Sequence, residues 1–207
     1  MFVVTIDGSA GSGKGTLGAR LAKHFGFLFI DSGLLYRAVA SIVLERGGDP
    51  IEAASALAPA DFERPDLRSE KVSNATPIVA KIPEVRKAIN YSIKRMVAEA
   101  EKGAVIDGRD IGTVVFPEAQ VKFFLKASPE TRAGRRCLQL REKGENPDYE
   151  EVLSDITTRD KWDRERNISP MVPAEDAIVL PTDDLDADAV FEVVSAICGH
   201  MLHGVRA

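Results

Sequence analysis

Cysteine is scarce in this chain: 207 residues hold two, Cys137 and Cys198, in unrelated contexts. Neither has a partner at metal-ligand spacing, which excludes a disulfide framework and a cysteine metal site. Both fall in helical patterns and read as buried free thiols of a reducing compartment, the cytoplasm. Histidine is scarce too. His24, His200 and His203 are scattered, and none sits in a visible Ser, Cys or metal-ligand constellation, so all three read as structural or surface residues. No apolar run approaches the length of a membrane span. The N-terminus has no basic stretch ahead of an apolar one, so no signal peptide is expected. There is no basic excess either. The net charge of -5 argues against a nucleic-acid coat, which needs a basic surface. What remains, with 44% apolar and 29% charged residues, is an ordinary soluble globular composition of one-domain length, with room for small inserted lobes.

The strongest positive signal lies near the N-terminus. A short apolar run, Phe2 to Ile6, is followed by Gly8-Ser9-Ala10-Gly11-Ser12-Gly13-Lys14-Gly15-Thr16 and then by a helical pattern at Leu17, Leu21, Ala22 and Phe25. Strand, glycine loop, lysine and helix is the context of a phosphate-binding loop. Glycines let the backbone close around an anion, and the successive N–H groups with the helix N-terminus supply positive charge. Lys14 is then expected to reach the β- and γ-phosphates of a bound ATP. The hydroxyl usually found straight after the lysine is displaced by Gly15 to Thr16, a variant typical of small nucleotide kinases.

Short apolar segments alternate with helical patterns along the rest of the chain. Strands are expected at 3–6, 28–30, 104–106, 121–125 and 177–180, and helices at about 14–25, 33–46, 83–101, 129–142, 148–165 and 186–203. Runs without polar alternation suit a parallel sheet covered on both faces. The plan is α/β and doubly wound, a type that binds ligands at the carboxyl ends of its strands. Two stretches break the alternation. Residues 47–82, rich in proline, read as an inserted lobe between core segments 1–46 and 83–207. Residues 142–148 read as the polar tip of a lid. Both are expected to close over bound ligand and exclude water.

Arginines supply the second signal. Arg37 follows the second strand, Arg86 opens the helix after the lobe, and Arg109 follows the third strand. Arg132 and Arg136 lie one helical turn apart, and Arg159, Asp163 and Arg166 share a helix face by spacing. The guanidinium fork matches phosphate oxygens two at a time, so this set suggests a site for two polyphosphate groups. Arg135, Arg141 and Arg164, taken singly, read as surface ion pairs. Asp107 ends an apolar strand. It can hold Mg²⁺, directly or through water, together with Thr16; the other reading is a cap for the segment that follows. No candidate general base stands out. Phosphoryl transfer to an acceptor that is already an anion needs alignment and charge neutralisation rather than proton chemistry.

At this point the chain resembles a known family, the bacterial cytidylate kinases. The resemblance runs nearly end to end. It is carried by Ile6-Asp7-Gly8 with the phosphate loop, by Asp31-Ser32-Gly33-Leu34-Leu35-Tyr36-Arg37, by Val85-Arg86, by Asp107-Gly108-Arg109-Asp110-Ile111-Gly112-Thr113-Val114-Val115-Phe116-Pro117, and by Arg159-Asp160-Lys161-Trp162-Asp163-Arg164-Glu165-Arg166. The resemblance implies a P-loop NTPase-like five-stranded core with an NMP-binding lobe, and transfer of phosphate from ATP to CMP or dCMP by a monomer. It also implies roles: Ser32, Arg86 and Asp110 on the cytosine, Asp163 on the ribose, Arg37, Arg109 and Arg166 on the CMP phosphate, and Arg159 toward the transferring group. Arg132 and Arg136 go with ATP. The family usually has Ala-Ser shortly before Val-Arg, and that serine contacts the base; here the stretch reads Ala75-Thr76-Pro77. Either Thr76 supplies the hydroxyl one residue early or the contact is absent. An adenylate kinase would usually show Asp-Gly-Phe-Pro-Arg after its third strand, unlike Asp107-Gly108-Arg109-Asp110. A shikimate-type kinase is the other enzyme alternative. A nucleotide-switched regulatory module would call for a GTPase Asn-Lys-x-Asp motif, which this sequence lacks.

Overall fold

The computed structural model describes residues 1–142 and 144–204. Five strands form one sheet: β1 (Phe2–Gly8), β2 (Leu28–Asp31), β3 (Gly103–Gly108), β4 (Val121–Lys126) and β5 (Ile178–Pro181), in the order β2-β3-β1-β4-β5. β1 pairs in parallel with both β3 and β4, and β4 pairs in parallel with β5. The expected α/β plan therefore holds. β1 is buried along its whole length, as a central strand of a covered parallel sheet must be.

Alternation along β1 assigns its two faces. Phe2, Val4 and Ile6 join a core with Leu17, Leu21 and Ala22 of α1 (Lys14–Phe25) and Val190, Val194 and Cys198 of α8 (Ala187–Gly204). Ile6, Leu21, Phe123 and Leu125 are almost completely enclosed, and burial of such side chains contributes about 1.5–3 kcal/mol each. The other face of β1 carries Thr5 and Asp7, both buried. They lie under a single wide π-type turn, Ile111–Val115, that follows β3.

The chain divides into two compact units, one of residues Met1–Phe29 and Glu101–Ala207, the other Ile30–Ala100. The lobe expected at 47–82 thus lies inside a larger unit. The reason is that α2 (Ser32–Arg46) and α5 (Pro83–Ala98) pack with the lobe's own helices, α3 (Pro50–Ser55) and α4 (Glu70–Val79). Asp31, Asp49 and Ser69 cap α2, α3 and α4 by accepting first-turn amides. Pro50 and Pro83 sit in the first turns of α3 and α5, where a missing N–H is harmless. In the first unit, α6 (Pro129–Glu142) packs against α7 (Tyr149–Glu165), whose cap is Asp148. The lid tip expected at 142–148 includes Lys143, which lies outside the described residues. Both cysteines are free and buried, as expected.

Candidate active site

The loop between β1 and α1 has the backbone that its glycines permit. Gly8, Gly11 and Gly13 have φ of 144, 76 and 93°, values costly for any residue with a Cβ. At Gly8 the space is closed as well, since a Cβ there would lie 2.3 Å from the Leu125 carbonyl oxygen of β4. Lys14 folds back over the loop. Its Nζ donates to the Ser9 carbonyl at 2.6 Å and to Ser12 Oγ at 3.4 Å. Burial, and then the positive charge of Arg109, lower its pKa from the ordinary 10.5 to about 7; Asp107 and Asp7 pull the other way. A buried ammonium whose charge is disfavoured in this way marks a candidate functional group.

Arg132 lies at this loop, but as a brace. Its guanidinium is 1% exposed. It donates to the Ala10 carbonyl at 3.0 Å, to the Ala127 carbonyl at 3.0 Å, and to both carboxylate oxygens of Asp160 on α7. Arg136, one turn on, is half-buried.

The end of β3 carries the second group. Asp107 is buried, and its Oδ2 lies 3.4 Å from where a Cβ on Gly15 would be. Its carboxylate therefore stands against Gly15 in the first turn of α1; Thr16, the next residue, is exposed. One carboxylate and one hydroxyl beside a phosphate cradle fit Mg²⁺, which keeps most of its waters and takes few protein ligands. Among the described residues no group of three or more His, Cys, Asp or Glu is placed to enclose a metal. Arg109 donates from Nε to Asp163 Oδ2 at 2.9 Å and from Nη1 to the Gly108 carbonyl. Arg166 reaches Asp110 Oδ1 at 3.3 Å and lies 3.9 Å from Asp163 Oδ1. Burial pushes the Asp163 carboxyl up, but Arg109, Arg159 and Arg166 outweigh it and hold it below the ordinary range. Burial likewise opposes the charge of Arg109, and Asp163, Asp107 and Asp7 more than restore it. The geometry thus gathers Arg109, Asp110, Arg159, Asp163 and Arg166 into one cluster, near Lys14 and Asp107.

Ser32, Arg37 and Arg86 belong to the other compact unit. Ser32 is buried at the start of α2. Arg37 donates to the Leu67 carbonyl and to Ser73 Oγ at 2.9 and 2.8 Å. Arg86 is buried over the Tyr36 ring, 5.6 Å from its centroid, and donates to the Ala80 carbonyl. Thr76 lies within α4, where its hydroxyl donates to the Val72 carbonyl at 2.6 Å.

Comparison with known proteins gives this geometry its context. The cytidylate kinase family model matches residues 4–60 and 54–199. The chain belongs to the cytidylate kinase family. It is 47% identical to a cytidylate kinase of Methylocella silvestris, over all of this chain and 98% of that one. It is 50% identical to a cytidylate kinase of Cereibacter sphaeroides over 95% of each chain. In fold it is similar to a shikimate kinase from Bacteroides thetaiotaomicron, with a TM-score of 0.54 at 16% identity and 98% coverage of both chains.

For a cytidylate kinase sequence, the residues that reasoning from pattern missed are the buried acids Asp7 and Asp160. Asp7 Oδ1 accepts the Ile111 amide at 2.9 Å, and Oδ2 accepts the Gly112 amide at 2.8 Å. Burial raises its pKa to about 6 against the pull of those two amides. The signal was present: an acid closing an unbroken apolar strand must find partners, because a buried lone charge is costly.

Proposed function

We infer that this chain is a cytidylate kinase that transfers the γ-phosphoryl group of ATP to CMP or dCMP, giving ADP and CDP or dCDP, a step of pyrimidine nucleotide metabolism. The observation that carries the reading is the pairing, in one compact unit, of a lysine-bearing phosphate loop with the Arg109–Asp110–Asp163–Arg166 cluster at the end of β3, in a chain of this family.

The residue roles proposed are those the family resemblance implies. The amides of residues 8–16 and Lys14 take the triphosphate. Lys14 exchanges the Ser9 carbonyl for phosphate oxygens, which raises its pKa and returns its full charge. Arg136 serves the ATP side, and Arg132 acts on ATP through the loop it braces. Arg109 and Arg166, with Arg37, take the CMP phosphate; Arg159 neutralises the group in transfer. Asp110, Ser32 and Arg86 read the cytosine, and Asp163 the ribose. Thr76, whose hydroxyl proton is engaged inside α4, supplies no donor to the base. A CMP phosphate oxygen attacks the γ-phosphorus as the bond to the bridging oxygen breaks, and ADP leaves with the electron pair. The acceptor is already an anion, so no base is required, and the cations act by alignment and neutralisation. When bound, Mg²⁺ would be held by Thr16 and Asp107 and would neutralise phosphate charge.

The test is a coupled assay with ATP across CMP, dCMP, UMP, AMP and shikimate. Turnover is expected with CMP and dCMP. Turnover with AMP or shikimate alone overturns the reading.

A further inference from the structure

We propose that Asp7 is a positioning residue for the acceptor nucleotide: by holding the Ile111 and Gly112 amides, it fixes the segment that presents Arg109 and Asp110. The proposal rests on the reading of Arg109 and Asp110 as acceptor contacts.

Asp7 sits on the middle strand of the sheet, one residue before the phosphate loop. Its side chain is turned from the loop toward the turn after β3. Each carboxylate oxygen takes one of two consecutive amides, so the segment is held at two points and cannot pivot about one. Those amides directly follow Asp110. The backbone of Asp110 is irregular, with φ −147° and ψ 24°, and its side chain does not cap the turn but meets Arg166. The Asp110 carbonyl accepts the Val114 amide at 2.9 Å, and the Ile111 carbonyl accepts that of Phe116 at 2.7 Å. The turn is therefore built outward from the two peptide units, 110–111 and 111–112, whose amides Asp7 holds.

Gly112 shows how close the grip is. A Cβ there would lie 2.8 Å from Thr5 Oγ1, 3.3 Å from Lys122 Cδ and 3.4 Å from Asp7 Oδ2. Only glycine lets the turn descend onto β1 in this way. An apolar residue at position 7 would leave both buried amides unpaired. What the carboxylate adds is direction: two acceptors at a set spacing, which asparagine cannot reproduce because one of its two ends is a donor.

The experiment measures CMP and ATP KM, with melting temperatures, for the wild type, Asp7→Asn, Gly112→Ala and Asp110→Ala. Asp7→Asn and Gly112→Ala are expected to raise the CMP KM about tenfold, the loss of one charge-assisted hydrogen bond, while the ATP KM stays within about twofold. If Asp110→Ala raises the CMP KM and neither of the other two does, the inference is overturned and the site reading stands. If Asp110→Ala leaves the CMP KM unchanged, the site reading fails and the inference with it. A lower melting temperature with an unchanged KM ratio makes Asp7 purely structural and also overturns the inference. Wild-type amide exchange decides independently of variant folding: CMP should slow exchange at Ile111 and Gly112 more than an ATP analogue does, and the reverse order refutes the proposal.

Discussion

Replacing Lys14 with methionine should stabilise this protein while abolishing its activity. The Lys14 side chain is almost wholly buried, and burial followed by the Arg109 charge lowers its pKa from 10.5 to about 7. The gap is about 3.5 pH units, and at about 1.4 kcal/mol per unit it is worth roughly 5 kcal/mol against the folded state wherever the unfolded lysine is charged. The sign follows from proton counting. The folded pKa is the lower one, so between pH 7 and 10.5 the unfolded chain binds more protons, and stability rises with pH across that window. Below pH 7 the full cost is carried. Methionine matches the length of the side chain and removes the charge. It forfeits the bonds to Ser9 and Ser12, worth about 1.5–3 kcal/mol for a charged donor. The net expectation is a gain of about 2 kcal/mol at pH 7, or about 4–8 °C in Tm for a chain of this size. Thermal unfolding without nucleotide checks this, and the gain should shrink when the scan is repeated at pH 9. Saturating ATP should reverse the order, because ligand at a hundred times Kd adds about 2.7 kcal/mol to the form that binds it. A variant no more stable than the wild type at pH 7, or a gap that fails to narrow by pH 9, refutes the reasoning.

Asp160→Ala strips the partner from Arg132, whose guanidinium is 1% exposed, and should cost about 3–5 kcal/mol by leaving that charge buried and uncompensated; urea unfolding measures it. Gly8→Ala should fold poorly or lose nucleotide binding, because its Cβ meets the Leu125 carbonyl at 2.3 Å at a φ of 144°; retained ATP affinity, read by nucleotide titration, would contradict the packing. Burial pushes the Cys198 thiol up to about 12, so an aromatic disulfide reagent should leave it unmodified at pH 8 until denaturant is added.

Much of this molecule was legible in its sequence where one physical cause dominates. Apolar runs at residues 3–6 and 104–106 could only be covered strands, and β1 and β3 are central in the sheet. Lys14, Arg109, Asp163 and Arg166 stood out because cations and an acid at strand ends and on one helix face have few cheaper explanations, and the fold brings them together. The helices of the lobe were not found. The proline-rich stretch read as a lobe with no helix assigned to it, yet Pro50 opens α3 behind its Asp49 cap, and α4 tolerates Pro77 inside it at the cost of one backbone hydrogen bond. The compact unit Ile30–Ala100 was missed for a related reason: sequence shows an insertion's ends, not which flanking helices pack with it. Arg132 shows the limit of reading charge by type. A guanidinium suits phosphate, but it also suits a carboxylate and a carbonyl, and only the fold places Asp160 and Ala10 within its reach.

The brace on Ala10 also sets the polarity of the phosphate loop before any nucleotide arrives. In a trans peptide the C=O and N–H point in opposite directions, and the described chain has no cis peptide. Lys14 draws the Ser9 carbonyl toward itself, and Arg132 does the same to the carbonyl of Ala10. The amides of Ala10 and Gly11, which complete those two peptide units, are thereby aimed the other way. A helix well behind the loop thus fixes, through Arg132, which way one of the loop's peptide dipoles points.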